Sequence, residues 1–245
     1  MQRSSFPNFI RVGVMLGLTQ IAPAVNGALI TYSASTYASN ATDWLTGTPV
    51  LAVNFGGATT LYGGETFIGT TDNGHNPGET YASNGTLAAF HSAPGIAWAN
   101  VAANTFDPVG GTALLHDGTW RSSTSQVDVN GLTIGTAYEV QFVLADSRGG
   151  GVDGRQVQLF GLGAIAGQNS GVHTYAFSDG RFTVLTAAFT ADATSISIEP
   201  RVADGGSGSQ INALRVVAVP EAGTAGLVGL ALLILRRIRA AKRVS

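Results

Sequence analysis

The chain has 245 residues, of which 11% are charged and 33 are glycine, and this composition favours an all-β protein with many tight turns over a helical one. Residues 28–219 carry six arginines and no lysine against fourteen acids, a net charge of −8. Nucleic-acid binding is therefore not expected, because an acidic domain repels a phosphate backbone. The absence of cysteine excludes disulfide frameworks, thiolate zinc sites and cysteine nucleophiles.

The N-terminal segment, residues 1–27, has the layout of a secretory signal peptide. Arg3 and Arg11 give it a positive start, and Val12–Leu18 forms a short apolar run that is followed by small residues. The run is too short to span a bilayer. We therefore expect the secretion machinery and signal peptidase as partners; the alternative is a disordered or membrane-tethering terminus.

Residues 28–218 contain no repeat, linker or low-complexity stretch, so we predict a single domain there. Strand signals recur between turn signals, and the predicted strands are Ala28–Tyr32, Val50–Phe55, Thr59–Phe67, Thr119–Arg121, Gln126–Val129, Ala137–Asp146, Arg155–Phe160, Arg181–Thr190, Thr194–Pro200 and Gln210–Val219. In Ala137–Asp146, apolar residues alternate with polar ones, which predicts a half-buried strand. This many short strands predict a β-sandwich of the jelly-roll type.

The densest polar cluster of the domain is "ADSRGGGVDGR", which lies between two predicted strands. Two carboxylates and two guanidiniums on a glycine-rich loop can hydrogen-bond neighbouring sugar hydroxyls. The candidate ligand-binding residues are therefore Asp146, Arg148, Asp153 and Arg155. The alternative is an ordinary hairpin loop, in which Asp146 caps a turn and pairs with Arg148 or Arg155.

Two further loops collect polar residues. The segment Gly69–Thr80 holds Asp72, Asn73, His75, Asn76 and Glu79. Oxygen-rich loops can bind Ca²⁺, but this spacing does not match an EF-hand. We expect a solvated loop and no cofactor or metal site. In Leu114–Ser123, Trp120 lies near acids and suits either stacking on a sugar ring or burial.

Catalytic motifs are not found in the sequence. The four histidines, His75, His91, His116 and His173, form no H-E-x-x-H pattern, and no G-x-S-x-G or Walker loop occurs. The fourteen acids of the domain would allow a glycosidase pair, but no spacing selects one. We therefore predict no catalytic residues, and an enzyme stays the alternative.

The C-terminal segment, residues 219–245, reads "VPEAGTAGLVGLALLILRRIRAAKRVS". Its apolar run Ala222–Leu235 would span roughly 21 Å as a helix, less than the hydrocarbon core of about 30 Å, so it predicts a marginal, transient transmembrane helix. The basic residues after it place the tail in the cytoplasm and the domain outside. The alternative is a terminal helix packed on the domain.

A V-P-E box, an apolar helix and an arginine cluster at the C-terminus resemble the PEP-CTERM sorting signal of Gram-negative bacteria. The matching residues are Val219, Pro220, Glu221, Arg236, Arg237 and Arg239, whereas Ala222 replaces the usual second proline. The resemblance implies that exosortase, a membrane protease-transpeptidase, is the partner that cuts the anchor away. It also implies a membrane-anchored intermediate, followed by the cell surface or the extracellular matrix as the final location.

The domain itself resembles the secreted β-sandwich domains of planctomycete PEP-CTERM proteins, which are similar to galactose-binding and carbohydrate-binding-module jelly rolls. The matching stretches are "VLAVNFGGATTLYGGETF", "VDVNGLTIGTAYEVQFVLADSRGGGVDGRQVQLF", "FTADATSISIEP" and "INALRVVAVPEAG". The resemblance concerns the fold; the delivery signal, the acidic β-sandwich and the absence of a catalytic motif together suggest an exported, non-catalytic surface or matrix protein that binds carbohydrate or packs into extracellular polysaccharide. A secreted polysaccharide-degrading enzyme or its accessory module is the alternative, and a purely structural role is a third hypothesis.

Overall fold

A computed structural model describes residues 27–38, 40–55, 57–70, 79–83, 88–91, 99–100, 114–115, 118–121, 126–145, 155–162, 168–175, 181–203 and 209–220. Apart from the helical residues Leu114 and Leu115, the regular structure of these ranges is β-strand. The strands are Thr31–Ala38 (β1), Pro49–Phe55 (β2), Thr60–Tyr62 (β3), Glu65–Thr70 (β4), Glu79–Ser83 (β5), Ala88–His91 (β6), Ala99–Asn100 (β7), Thr119–Arg121 (β8), Val127–Asn130 (β9), Ala137–Leu144 (β10), Arg155–Leu162 (β11), His173–Tyr175 (β12), Arg181–Thr190 (β13), Ser195–Val202 (β14), Ser209–Ile211 (β15) and Ala213–Val219 (β16). In these ranges, no helix has the length and apolar character needed to cross a membrane.

The strands form two large sheets and one small one. The seven-stranded sheet has the order β1-β13-β10-β16-β2-β4-β3, and the six-stranded sheet has the order β12-β11-β14-β9-β6-β5. The small sheet has the order β15-β8-β7. Strands β2 and β4 are parallel neighbours, whereas the long central pairs of both large sheets are antiparallel.

The main hydrophobic core lies between the two large sheets. Alternate residues of their strands point into it, because successive side chains of a strand face opposite sides. Its members include Leu51, Val53, Phe55, Val140, Phe142, Leu144, Leu185, Ala187, Leu214 and Val216 from the seven-stranded sheet, and Val127, Val129, Val157, Leu159, Ile196 and Ile198 from the six-stranded sheet. The fold is therefore all-β and sandwich-like, as the sequence predicts.

A second hydrophobic cluster covers the opposite face of the seven-stranded sheet. Trp44 is its centre, with ring centroids 5.8 Å from Phe182, 6.1 Å from Tyr62 and 6.3 Å from Phe67. The Trp44 Nε1–H and the Tyr62 hydroxyl both donate to the carbonyl oxygen of Ala41, at 3.0 Å and 2.7 Å. Burial raises the pKa of Tyr62 above its ordinary value of 10.0, although the hydrogen bond with Trp44 partly opposes this.

The second cluster explains why the predicted half-burial of Ala137–Asp146 is only partly right. Along β10, Tyr138, Val140, Phe142 and Leu144 face the main core as predicted. Gln141 and Val143 point the other way and are buried as well. The alternation of β10 cannot reveal that both faces are buried, because residues distant in the sequence form the second cluster, which covers the face expected to be exposed to solvent.

Most predicted strands are present with small shifts in their ends, but the predicted Ala28–Tyr32 is displaced: β1 begins at Thr31 and shares only Thr31 and Tyr32 with it. The predicted strand Thr59–Phe67 divides into β3 and β4 because Gly63 and Gly64, with φ of 57° and 88°, form a tight turn that other residues rarely adopt. The predicted Gln210–Val219 divides at Asn212 into β15 and β16. Strands β5, β6, β7 and β12 were not predicted, since each is short and lacks a clear alternation.

A buried ion pair links β16 to β4 across β2, on the face of the seven-stranded sheet that the second cluster covers. The Arg215 side chain on β16 is 0% exposed, and its guanidinium donates to Glu65 Oε2 at 2.7 Å and Oε1 at 2.6 Å. Its remaining N–H groups donate to Gln141 Oε1 at 3.0 Å and to the carbonyl oxygens of Thr46 and Gly47 at 2.8 Å and 2.9 Å. All five donors of the guanidinium are used, so this arginine has a structural role.

Candidate functional site

The polar segment that contains Asp146 crosses between the two large sheets. Its described ends are Ala145, which follows β10 of the seven-stranded sheet, and Arg155, which opens β11 of the six-stranded sheet. The hairpin interpretation is therefore wrong, because a hairpin joins two neighbouring antiparallel strands. Asp146, Arg148 and Asp153 lie outside the described residues, and of Arg155 the structure describes the backbone pairing with Tyr175.

Buried Asn212 fixes the point at which this segment begins. Its Oδ1 accepts a hydrogen bond from the Ala145 N–H at 2.7 Å, and its Nδ2 donates to the carbonyl oxygen of Leu115 at 3.0 Å. Its backbone carbonyl also accepts from the Phe55 N–H at 2.9 Å. Through its side chain and its backbone, fully buried Asn212 thus forms hydrogen bonds with three other chain segments. His116 and Asp117, which follow Leu115 in the sequence, lie outside the described residues.

The most complete polar constellation lies on the outer face of the six-stranded sheet, which points away from the main core. There β11 contributes Gln158 and Phe160, and β14 contributes Glu199 and Arg201. The register places Gln158 opposite Arg201 and Phe160 opposite Glu199. We call these four residues the sheet patch. Their neighbours on the same strands, such as Leu159 and Ile198, face the core.

The sheet patch is organised by the Arg201 side chain. Its guanidinium carbon lies 3.9 Å from the centroid of the Phe160 ring, a cation–π arrangement. The Arg201 Nε–H also donates to Glu199 Oε2 at 2.9 Å. The Arg201 and Glu199 side chains are 40% and 12% exposed, and Gln158 Nε2 donates to Asn169 Oδ1 at 2.6 Å. The patch therefore has a fixed geometry while part of it still faces solvent.

Two polar groups of the sheet patch remain available to a ligand. Within the part of the chain that the structure describes, Arg201 Nη1 and Glu199 Oε1 have no hydrogen-bond partner. One is a donor and the other an acceptor. A neighbouring donor and acceptor beside an aromatic ring can bind two adjacent hydroxyls of a sugar.

Another carboxylate extends this face toward β9. Asp128 pairs in register with Ser197 of β14, and its Oδ1 accepts from Gln126 Nε2 at 2.9 Å. Glu199 is two residues beyond Ser197 on the same face, so Asp128 and Glu199 are diagonal neighbours, whose backbones lie about 7–8 Å apart in ordinary sheet geometry. In the described ranges, no group of three or more His, Cys, Asp or Glu side chains is arranged to hold a metal ion.

The other predicted site residues are only partly described. Of the V-P-E box, Val219 ends β16, where it pairs with Ala137, and Pro220 is exposed immediately after the strand. Glu221 and the three arginines of the tail, Arg236, Arg237 and Arg239, lie outside the described residues, as do Asp72, Asn73, His75 and Asn76 of the segment after β4. Trp120 lies on β8, where its backbone pairs with Gln210 and Ala99.

The sheet patch is not among the site residues predicted from the sequence. The sequence does contain one signal, the alternation within each strand. In "VQLF", Gln158 and Phe160 occupy outward positions, and in "SISIEPR", Glu199 and Arg201 do so. An aromatic residue at a polar position of a strand is a detectable hint. The pairing of β11 with β14, about forty residues apart in the chain, is what brings the four side chains together.

Comparisons with known proteins place the chain among remote structural neighbours only. No protein-family model matches the sequence, and no curated protein matches it. Among solved structures, a Bacteroides uniformis β-glucuronidase is 14% identical with a TM-score of 0.47, over 73% of this chain and 18% of the enzyme. The ANX1 ectodomain from Arabidopsis thaliana is 10% identical with a TM-score of 0.47, over 70% of this chain and 42% of the ectodomain.

Proposed function

We propose that this protein is an exported, non-catalytic surface or matrix protein whose domain binds extracellular polysaccharide through the sheet patch. The observation that carries this proposal is the Arg201 guanidinium held between Phe160 and Glu199, beside a free donor and a free acceptor. An aromatic ring with adjacent planar polar groups suits a sugar, which presents C–H groups on one face and hydroxyls at its edge.

The position of the patch favours binding over catalysis. The Glu199 carboxylate already accepts a hydrogen bond from Arg201 through Oε2, which holds both side chains in place as a binding surface. The patch also lies on a sheet face, where a long polymer can lie along β11 and β14. The predicted residues Asp146, Arg148, Asp153 and Arg155 are proposed as a second contact region, because their segment continues directly into β11.

We expect Arg201→Gln to weaken polysaccharide binding without unfolding the domain. Loss of the hydrogen bonds to a sugar costs about 1–3 kcal/mol, which is roughly a five- to 150-fold weaker Kd at about 1.4 kcal/mol per tenfold. The melting temperature should change little, since the Arg201–Glu199 pair is partly exposed and such pairs contribute about 0–1 kcal/mol.

Isothermal titration calorimetry against a panel of soluble neutral and acidic polysaccharides measures this effect. Asp192→Asn is the matched control, because Asp192 is an exposed residue in the turn before β14 and lies outside the patch. If Arg201→Gln and Asp192→Asn bind every polysaccharide as tightly as the unmodified chain, the sheet patch is not the binding site.

The second candidate function is a polysaccharide-degrading enzyme or its accessory module. Asp128 and Glu199 favour it, because the strand register makes them diagonal neighbours on one sheet face, and a glycosidase needs two carboxyl groups close together on one surface. A reducing-sugar assay on the same panel separates the candidates. Release of sugar that is abolished by Glu199→Gln supports the enzyme, and binding without any release supports the non-catalytic proposal.

For delivery, we propose the PEP-CTERM route, with a signal peptide at residues 1–27, a jelly-roll domain at 28–218 and a sorting signal at 219–245. The support within the fold is that β16 ends at Val219 and Pro220 is exposed, so the V-P-E box starts where the sandwich ends. A protease that cuts after this point leaves β16, a central strand of the sheet, in place.

We expect deletion of residues 222–245 to release the domain into the medium without surface processing, and Glu221→Ala to impair cleavage. The reason is that the apolar run is the transient anchor and the V-P-E box is the recognition element. Cell fractionation followed by mass spectrometry of the mature protein measures both effects. An intact C-terminus on mature surface protein would contradict the sorting proposal.

A further inference from the structure

We propose that two copies of this chain associate through strand β1, edge to edge, so that their seven-stranded sheets form one continuous antiparallel sheet. The proposal is independent of the sheet patch, which lies on the other large sheet. It identifies β1 as an interaction surface and a second copy of the same chain as its partner.

Strand β1 is a long edge strand. All eight of its residues, from Thr31 to Ala38, pair with β13 on one side, and among the described residues no strand pairs with its other side. Residues Ser33, Ala34, Ser35 and Thr36 are all exposed, so the middle of β1 is open on both faces. The unpaired backbone N–H and C=O groups of such an edge are a template for another strand.

Unlike the other edges of the large sheets, β1 lacks the features that usually prevent this pairing. Edge strands are commonly short, bulged, or interrupted by charges and prolines. Strands β3 and β12, at two of the other edges, have three residues each, and β5 has a register shift at Thr80/Ala82. In contrast, β1 has the sequence TYSASTYA, with no charge and no proline, and its register with β13 is unbroken.

The sequence of β1 suits a second copy of itself. A two-fold axis normal to the sheet reverses the strand direction and keeps each side chain on its own face. An odd-numbered residue must therefore pair with an odd-numbered one, and an even-numbered residue with an even-numbered one. With the axis at Ala34, Ser33 lies opposite Ser35 of the second copy. Tyr32 then lies opposite Thr36, and Thr31 lies opposite Tyr37.

These pairs are favourable ones for an antiparallel sheet. Aromatic residues opposite β-branched residues stabilise cross-strand contacts, and like charges opposite each other destabilise them. The pairing at Ala34 places four Tyr–Thr pairs in register across the axis and no charged pair. A strand that is nearly symmetrical about its own centre therefore specifies both the partner and the register.

A cysteine at the proposed axis tests the register directly, because the chain has no cysteine of its own. Directly opposite residues of an antiparallel pair have Cα atoms about 4.5–5.5 Å apart, within the range of about 4.4–6.8 Å that a disulfide needs. We expect full-length Ala34→Cys in detergent to form a covalent dimer under mild oxidation. The matched control is Thr174→Cys, an exposed position on edge strand β12, which should stay monomeric.

A charge at the same position tests the interaction without a covalent bond. We expect Ala34→Lys and Ala34→Glu each to lose the dimer mass in analytical ultracentrifugation, since each places two like charges together at the axis. Mixing the two variants should restore a dimer, and a cooperative thermal unfolding transition shows that each variant is folded, even where its melting temperature falls with the loss of the dimer. The proposal is overturned if Ala34→Cys cross-links no faster than Thr174→Cys, or if mixing the charge variants restores nothing.

Discussion

We expect Glu65→Gln to lower the free energy of unfolding by about 3–5 kcal/mol, because it leaves the Arg215 guanidinium buried without its counter-charge. Arg215 is completely buried, and Glu65 accepts two of its five hydrogen bonds. At about 2–4 °C per kcal/mol for a domain of this size, the melting temperature should fall by roughly 6–20 °C. Denaturant unfolding followed by tryptophan fluorescence measures the change.

Glu199→Gln is the matched control for this prediction. Both substitutions remove the carboxylate of a Glu–Arg pair, but the Arg201–Glu199 pair is partly exposed. Its loss should lower stability by about 0–1 kcal/mol. If the two variants are equally stable, the buried hydrogen-bond network around Arg215 does not stabilise the fold as proposed.

We expect Asn212→Leu to be the second strongly destabilising change. The side chains have similar size, but leucine leaves the buried Ala145 N–H and Leu115 carbonyl oxygen without the partners that Asn212 provides. Each lost partner costs about 1–3 kcal/mol, so the free energy of unfolding should fall by about 2–6 kcal/mol. Calorimetry of the variant measures this loss.

Asn130→Leu provides the control for Asn212→Leu. Asn130 ends β9 and is only partly buried, so the same substitution there should change stability by about 0.5 kcal/mol or less. A similar small effect at Asn212 would contradict its role in fixing the start of the segment that contains Asp146.

The strands could be predicted where alternation and turn residues agree. The predicted Arg181–Thr190 coincides with β13, since its apolar residues are bounded by turn signals on both sides. The buried position of Arg215 could not be predicted, because "ALRVVAV" places it at a polar, outward position of β16. Only the tertiary fold brings Glu65, 150 residues away in the chain, into contact with it.

For the candidate site too, the sequence identifies residues that are close together in the chain but not those that meet only in the fold. The sequence singles out the segment from Asp146 to Arg155 by its local density of charge. No short stretch of the sequence contains the whole sheet patch, because Phe160 and Arg201 meet only through the register of β11 with β14. A local pattern can suggest which residues face outward, but strand order decides which of them become neighbours.

Amide hydrogen exchange of the full-length chain, with and without a bound polysaccharide, tests the central proposal most directly. Binding at the sheet patch should slow exchange in β11 and β14, around Gln158–Phe160 and Glu199–Arg201, in the unmodified chain and in Asp192→Asn but not in Arg201→Gln. Slower exchange confined to residues 146–154, or to the seven-stranded sheet, would contradict binding at the sheet patch.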